Sequence, residues 1–487
     1  MKKISKVKRT ICCLLVIVLI LAGCNINSSI YDQIESKIAE DNSLASSVYD
    51  KKKAADLNSL ENEGTVKEKD NLQGHLTIKT YWDEDMNVYI NDFISLHPDV
   101  SIDLLHPGTS GFLSFDDYQT QTAVELMSGT SADIIDVAGL AVFKYAKSGS
   151  LCDLYSFMDS DEDFCKEDYY TNIFNGKEYE GALYSMPCGF SYDMVYVSNH
   201  LFRSSNLELP DTLDYKEMIL AHKKVIESTN YSPKLMPGLN PYTFFYYEYP
   251  EYYNINTQTA AFDTPQFIEY LKFTKNSISI NEENDFTRIG YDDSFLREDY
   301  LFCKFDVSGG TDLLNFLFDF KNISEPIPIV SSSGNKYFRS MREYAIASSS
   351  PNKELAWEFI KYYIGEKEIP ETLDSEDAEK YYKNYNAFVP INKANFFKGF
   401  KFTYKYALQY IEKQPNIQWK NEDHDLIIEN ALKQIHEWNQ ERDVEQAEGE
   451  IYGLLCDELN SYYYMELLSA EETADKLQNK MTIFLQE

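Results

Sequence analysis

LTIKTYWDEDMNVYINDFISLHP, residues 76–98, changes its hydrophobic period partway along. Leu76 to Tyr81 reads as a strand, and Met86, Tyr89, Ile90, Phe93 and Ile94 then fall on one face of a helix. Downstream, Val100–Leu105 reads as a second strand, Asp117–Met127 as a second helix and Asp133–Val137 as a third strand, with Gly139 just beyond. Strand, helix, strand, helix, strand at this spacing predicts a parallel α/β sheet. Ligands of such sheets bind beyond the carboxyl ends of the strands, which directs attention to Trp82-Asp83-Glu84 and to Asp136.

The later chain reads as mostly helical with strand pieces. Ser350-Pro351 followed by Ala356, Phe359, Ile360, Tyr363 and Ile364 predicts a helix with a capping Ser and Pro at its first position. In the tail, Ser469 and Glu472 form a capping box ahead of a stripe made by Ala470, Ala474, Leu477, Met481 and Phe484. No internal repeat is present in the sequence.

The N-terminus has a different character. Lys2, Lys3, Lys6, Lys8 and Arg9 precede an apolar run from Ile11 to Leu21, too short to span a bilayer core of roughly 30 Å. With Leu21-Ala22-Gly23-Cys24 closing it, the segment resembles a bacterial lipoprotein signal. The resemblance implies that residues 1–23 are removed, that Cys24 carries the lipid, and that the rest lies on the outer face of a cell membrane, as expected in a Gram-positive bacterium. Residues 24–73, rich in Ser, Asn, Asp, Glu and Lys, read as a flexible polar tether with too little apolar surface to offset the entropy of ordering.

Composition narrows the rest. The chain carries a formal charge of −34, and residues 1–23 hold five of its 45 Lys and Arg but none of its 79 Asp and Glu, so the remainder is more acidic still. Such a body repels polyanions, which excludes nucleic acid as a partner. About 460 residues beyond the signal, 44% hydrophobic and 15% aromatic over the whole chain, suffice for two lobes or domains. Tyr outnumbers Phe, 38 to 29, and supplies rings for stacking beside hydroxyls for hydrogen bonding. Beyond Cys24 the cysteines are Cys152, Cys165, Cys188, Cys303 and Cys456; five cannot all pair, and Cys152 with Cys165 is the nearest candidate bridge. No metal or cofactor motif is complete: Asp159-x-Asp161-x-Asp163 begins like a calcium loop but has Phe164 and Tyr170 where Gly and Glu are required. No Walker loop, dinucleotide fingerprint or nucleophile elbow appears.

Several ordered segments resemble the extracellular solute-binding proteins of ABC sugar importers, the large two-lobed class that includes maltose-binding protein. Residues 76–98 are similar to the family's opening strand and helix, and residues 126–154 to its "sG..pDv" strand and later "G.L.dL". GALYSMP, residues 181–187, resembles "G.lYglP", and YVSNHLF, residues 196–202, resembles "yyN..lF". Pro326-Ile327-Pro328, Tyr344-Ala345-Ile346-Ala347, residues 354–360 and residues 470–478 continue the likeness to the end of the chain. Asp214-Tyr215 departs from the usual "TwdE", and residues 366–383 look longer and more acidic than the family needs.

The resemblance implies a type II periplasmic-binding-protein-like α/β fold of two discontinuous lobes, residues 74–190 with 300–345 and residues 191–299 with 346–487, around a ligand cleft. The first crossover is expected near Gly189–Val197, and the return near Val307–Gly310 or Tyr344–Ala347. The implied role is that of a monomeric, non-enzymatic binder without a cofactor, closing on a carbohydrate and delivering it to membrane permease subunits. A surface adhesin or sensor input of the same fold, or a binder of a non-sugar solute such as a polyamine, is the alternative.

A sugar site needs aromatic plates and directional polar groups. Trp82, at the end of the first strand, is a candidate plate or a cap on the lobe core. Asp136 is a candidate ligand contact or a cap for the next helix. Phe190, Tyr192 and Asp193 fall where the chain should pass the cleft floor, and strand alternation sets Asp193 opposite to the two rings. Gly310 and Thr311, after Gly309, could bring backbone amides to a ligand or form a plain turn. Tyr242 begins the aromatic run YTFFYYEYPEYY, residues 242–253, which reads as a stacking platform or as buried packing.

Overall fold

The computed structural model of the protein describes residues 72–107, 114–278, 298–309, 326–368, 388–411, 424–446 and 449–487. Cys24, Gly310, Thr311, the signal and nearly all of the expected tether lie outside these residues. The opening βαβαβ unit is present. β1 (Gly74–Lys79) buries Leu76 and Ile78 completely, and α1 (Asp83–Leu96) lays Met86, Tyr89, Ile90 and Phe93 inward. β2 (Val100–Leu105), α2 (Phe115–Ser128) and β3 (Ile134–Asp136) follow, with β1 parallel to both β2 and β3. α2 starts where Ser114 Oγ accepts from the Asp117 amide and stops at Gly129, whose φ of +69° suits glycine.

Three short helices, α3 (Val142–Lys147), α4 (Leu154–Ser160) and α5 (Thr171–Gly176), lead to β4 (Met186–Val197), a twelve-residue strand buried along its whole length. Next come α6 (Asn199–Ser204), α7 (Tyr215–Ser228), α8 (Pro241–Glu248), the hairpin β5 (Tyr253–Asn254) and β6 (Thr259–Ala260), and α9 (Pro265–Ser277). β7 (Phe302–Val307), β8 (Pro326–Pro328) and β9 (Tyr337–Ile346) return to the main sheet. The chain finishes with α10 (Lys353–Ile364), β10 (Val389–Pro390), α11 (Lys393–Ile411), α12 (His424–Gln440), β11 (Val444–Glu445), α13 (Glu450–Tyr463) and α14 (Ala470–Gln486).

The main sheet runs β2-β1-β3-β9-β4-β10, with β7 and β8 also on β4 and β11 on β9. β4 and β9 stitch it together. The first half of β4 pairs antiparallel with β9, from Met186 opposite Tyr344 to Ser191 opposite Arg339, and its second half, Tyr192–Val197, pairs with β7. β9 itself continues to β3 through Tyr344–Ile346 and to β11 through Tyr337 and Phe338.

Beyond the second half of β4 a large core gathers Val195, Val197, Met218, Phe245, Phe267, Leu455 and Leu477 from six elements. Each such side chain contributes about 1.5–3 kcal/mol on burial. On the other side, α10 packs Phe359 on Phe93 at 5.2 Å and Tyr363 on Tyr89 at 4.1 Å, so this helix sits with α1 although the expected division groups it with residues 346–487.

Its start also differs from expectation. Ser350 Oγ donates to Asp133 Oδ1 at 2.5 Å and accepts from the Asn352 amide, so the helix begins at Lys353 after Asn352 and Pro351 stays outside it. The tail matches: Ser469 and Glu472 form the capping box, with Ala470, Ala474, Leu477 and Met481 buried. The five cysteines of the described region are free thiols, and no described helix is long and apolar enough to cross a membrane.

Candidate functional site

A cavity of about 670 Å³ opens beyond the carboxyl ends of β1 and β3 and runs along β9. Its wall takes Trp82 from the β1–α1 turn, Phe115 from the first turn of α2, the loop after β3 and the segment following α5. The β5 hairpin adds Tyr253, β9 adds Arg339 through Glu343, and β11 adds Glu445.

Trp82 is 48% exposed, yet its position is fixed. Its backbone amide donates to Thr80 Oγ1 at 3.1 Å, and Thr80 Oγ1 in turn donates to Asp136 Oδ2 at 3.0 Å. The indole meets Tyr81 edge-on at 5.2 Å and Phe115 at 6.4 Å. An aromatic face this open on a pinned backbone is suited to receive an apolar ligand face.

Asp136 stands behind that wall. Its carboxylate is 1% exposed, also accepts from the Ala138 amide at 3.1 Å, and is pushed up to about 6 by burial. It ties the end of β3 to the turn that carries Trp82, and it is not among the residues that line the cavity.

The three β4 candidates face packed surroundings. Phe190, Tyr192 and Asp193 are 0%, 1% and 5% exposed, and none lines the cavity. Tyr192 donates its hydroxyl to Asn439 Oδ1 at 2.8 Å beneath the Arg442 guanidinium, 3.6 Å from its ring centre. Asp193 accepts from Tyr247 Oη at 2.6 Å, Arg339 Nη1 at 2.9 Å and Lys304 Nζ at 3.2 Å. Burial opposes its charge, but Arg339 and Lys304 outweigh burial and hold its carboxyl below the usual range. β4 contributes indirectly through Gly189, where a Cβ would sit 2.0 Å from Phe388 Cδ2; the missing side chain lets Phe388 reach the wall.

Tyr242 is likewise engaged elsewhere, donating to the Cys456 carbonyl at 3.2 Å and stacking on Tyr464 at 5.9 Å. Of its aromatic run, Pro250 and Tyr253 reach the cavity.

The polar wall centres on Lys177, whose Nζ lies 2.8 Å from Glu343 Oε2 and 2.6 Å from Glu445 Oε1. Ser185 Oγ donates to Glu343 and Ser340 Oγ to Glu445, both at 3.0 Å. Burial disfavours the ammonium, but the two carboxylates more than offset it and raise Lys177 above its ordinary value. Nearby, Glu178 accepts from Tyr155 Oη at 2.6 Å.

Aromatic faces around directional donors and acceptors can hold a polyhydroxylated molecule in one orientation. Among the described residues no cluster of His, Cys, Asp and Glu is arranged to hold a metal ion. Phe115, Lys177, Tyr184, Arg342 and Glu343 were not singled out from the sequence as site residues. The available signal was in β9, where YFRSMREYAI sets three charges inside an otherwise strand-like run.

Residues 79–369 match the family described as bacterial extracellular solute-binding protein. No curated protein matches the chain. Among solved structures, the sugar-binding protein MalE from Xanthomonas citri is 12% identical, with a TM-score of 0.56 over 85% of this chain and 98% of that one. An ABC substrate-binding protein from Listeria monocytogenes in complex with cycloalternan is 15% identical, with a TM-score of 0.51 over 85% and 99%. A family 1 extracellular solute-binding protein from Alicyclobacillus acidocaldarius is 14% identical, with a TM-score of 0.52 over the same shares.

Proposed function

The chain belongs to the bacterial extracellular solute-binding protein family, which is substrate-binding and not enzymatic, and on that premise we propose that it is the lipid-anchored substrate-binding subunit of an ABC importer for an oligosaccharide. The carrying observation is the cavity itself, where Trp82, Phe115, Tyr184 and Tyr253 surround the Lys177–Glu343–Glu445 cluster. The cycloalternan complex of the Listeria monocytogenes protein and the sugar-binding protein MalE, both of this fold, support this reading. In the proposal two lobes meet along β4 and β9, saccharide binding closes them, and the closed form docks on permease subunits. Cys24 provides the anchor through the lipoprotein-like signal that precedes it.

The test is the melting temperature of the purified protein against maltotriose, cycloalternan, sorbitol and spermidine. Binding to the folded form alone stabilises it by about 2.7 kcal/mol at a hundredfold excess over the dissociation constant. A saccharide-specific rise supports the proposal. A rise with spermidine alone moves the assignment to a cationic solute, for which the wall carboxylates of Glu178, Glu343, Asp443 and Glu445 speak. No rise at all favours an adhesin or sensor input. Separately, radiolabelled palmitate should enter the wild type and not Cys24→Ala.

A further inference from the structure

We propose that Arg442 and Asn439 form a buried site for a small monovalent anion, of the size and charge of chloride, behind the cavity wall; neither residue lines the cavity, and the site does not depend on which solute the cavity takes.

The guanidinium supplies the first argument. Arg442 is 1% exposed, and an arginine keeps its positive charge however deeply it is buried. Its partners among the described residues are the Tyr337 carbonyl, 3.4 Å from Nη1, the Met194 sulfur, 3.3 Å from Nη2, and the face of the Tyr192 ring. None of them is an anion. The two carboxylates whose charge reaches it are engaged elsewhere, Asp193 with Arg339 and Lys304, and Glu441 with Lys336. Burial outweighs both and pulls Arg442 below its ordinary value. Buried charges are as a rule paired, because taking an ion out of water without a counter-charge is among the most unfavourable arrangements in a fold.

Unused donors supply the second argument. Arg442 Nε and Asn439 Nδ2 are both buried without a hydrogen-bond partner among the described residues. The two residues are neighbours. Both side chains meet Tyr192, whose hydroxyl donates to Asn439 Oδ1 at 2.8 Å, and Asn172 Nδ2 donates to both backbone carbonyls, at 2.8 Å to Asn439 and 2.6 Å to Arg442. Two free donors beside one unpaired positive charge match an acceptor that is itself negative; a water molecule would satisfy the donors and leave the charge uncompensated. A single positive charge packed among Tyr192, Met194 and Tyr337 suits a halide-sized ion better than phosphate or sulfate. Held there, the ion ties the end of α12 to β4 and braces Asp443 to Gln446, which line the cavity.

The experiment records melting of the full-length protein in sodium chloride, bromide and gluconate at equal ionic strength, for the wild type, R442M and N439D, and locates bromide by anomalous scattering in wild-type crystals. The wild type should melt about 2–4 °C higher in either halide than in gluconate. R442M removes the charge and N439D places a fixed carboxylate beside it, so both should lose the halide effect, and N439D should melt in gluconate as high as the wild type does in chloride. Bromide should lie within hydrogen-bonding distance of Arg442 Nε and Asn439 Nδ2. A wild type indifferent to halide, a halide effect that persists in either variant, or a water molecule in place of bromide overturns the site. A bromide peak at that position without any effect on melting marks an adventitious ion only and overturns it as well.

Discussion

β4 and β9 lie side by side at the centre of the sheet, antiparallel and of similar length, yet they do opposite jobs. β4 is buried from Met186 to Val197, and its one charged residue, Asp193, is neutralised internally by Arg339 and Lys304. β9 leaves Ser340, Met341 and Arg342 partly exposed and contributes five consecutive residues to the cavity. A strand covered on all sides can afford a charge only when partners come to it. The carboxylate that β9 brings to the cavity wall is likewise paired, Glu343 with Lys177 at 2.8 Å.

If β4 is structural, the largest consequence follows from Asp193→Ala. It leaves Arg339 and Lys304 beside an empty buried site and removes the acceptor of Tyr247, which should cost about 3–5 kcal/mol in urea unfolding. Unchanged stability with lost saccharide affinity would reverse the roles of the two strands.

Asp136, opposite Tyr344 of β9, gives the next effect. With its carboxyl pushed up to about 6 by burial, the folded protein keeps a proton that the unfolded chain releases near 4, so stability falls as pH rises between about 4 and 6. The change is on the order of 3 kcal/mol, and Asp136→Asn should flatten it in unfolding curves measured across that range. Asp193 runs the other way: its lowered carboxyl stabilises the fold above about pH 4, and that contribution is lost on acidification.

Trp82→Ala tests the cavity side. The ring is half exposed, so melting should barely move, while saccharide affinity should drop about tenfold, or about 1.4 kcal/mol, by calorimetry. Smallest is Tyr192→Phe, which removes the bond to Asn439 and should lower stability by about 1 kcal/mol without altering affinity.

The βαβαβ unit was legible because its signal is local: period two, then period 3.6, within residues 76–98. The same locality exposed Trp82, since the end of a parallel strand is a position that sequence alone can name. Asp193 was misleading because its partners are remote, Tyr247, Lys304 and Arg339 standing 54, 111 and 146 residues further along. Tyr242 shows the same effect, its hydroxyl bonded 214 residues away at Cys456. Ser350 reads locally as a helix cap, but Asp133 across the sheet captures its hydroxyl. Lys177 carries no local mark at all, because its meaning comes from Glu343 and Glu445 in two distant strands.

The most direct measurement is the crystal structure of the protein with the saccharide that raises its melting temperature most. The account predicts a sugar ring against the Trp82 indole, with its hydroxyls within hydrogen-bonding distance of the polar wall formed by Lys177, Glu343 and Glu445. A saccharide held on the Phe190–Asp193 face of β4, or bound outside the cavity, would contradict it.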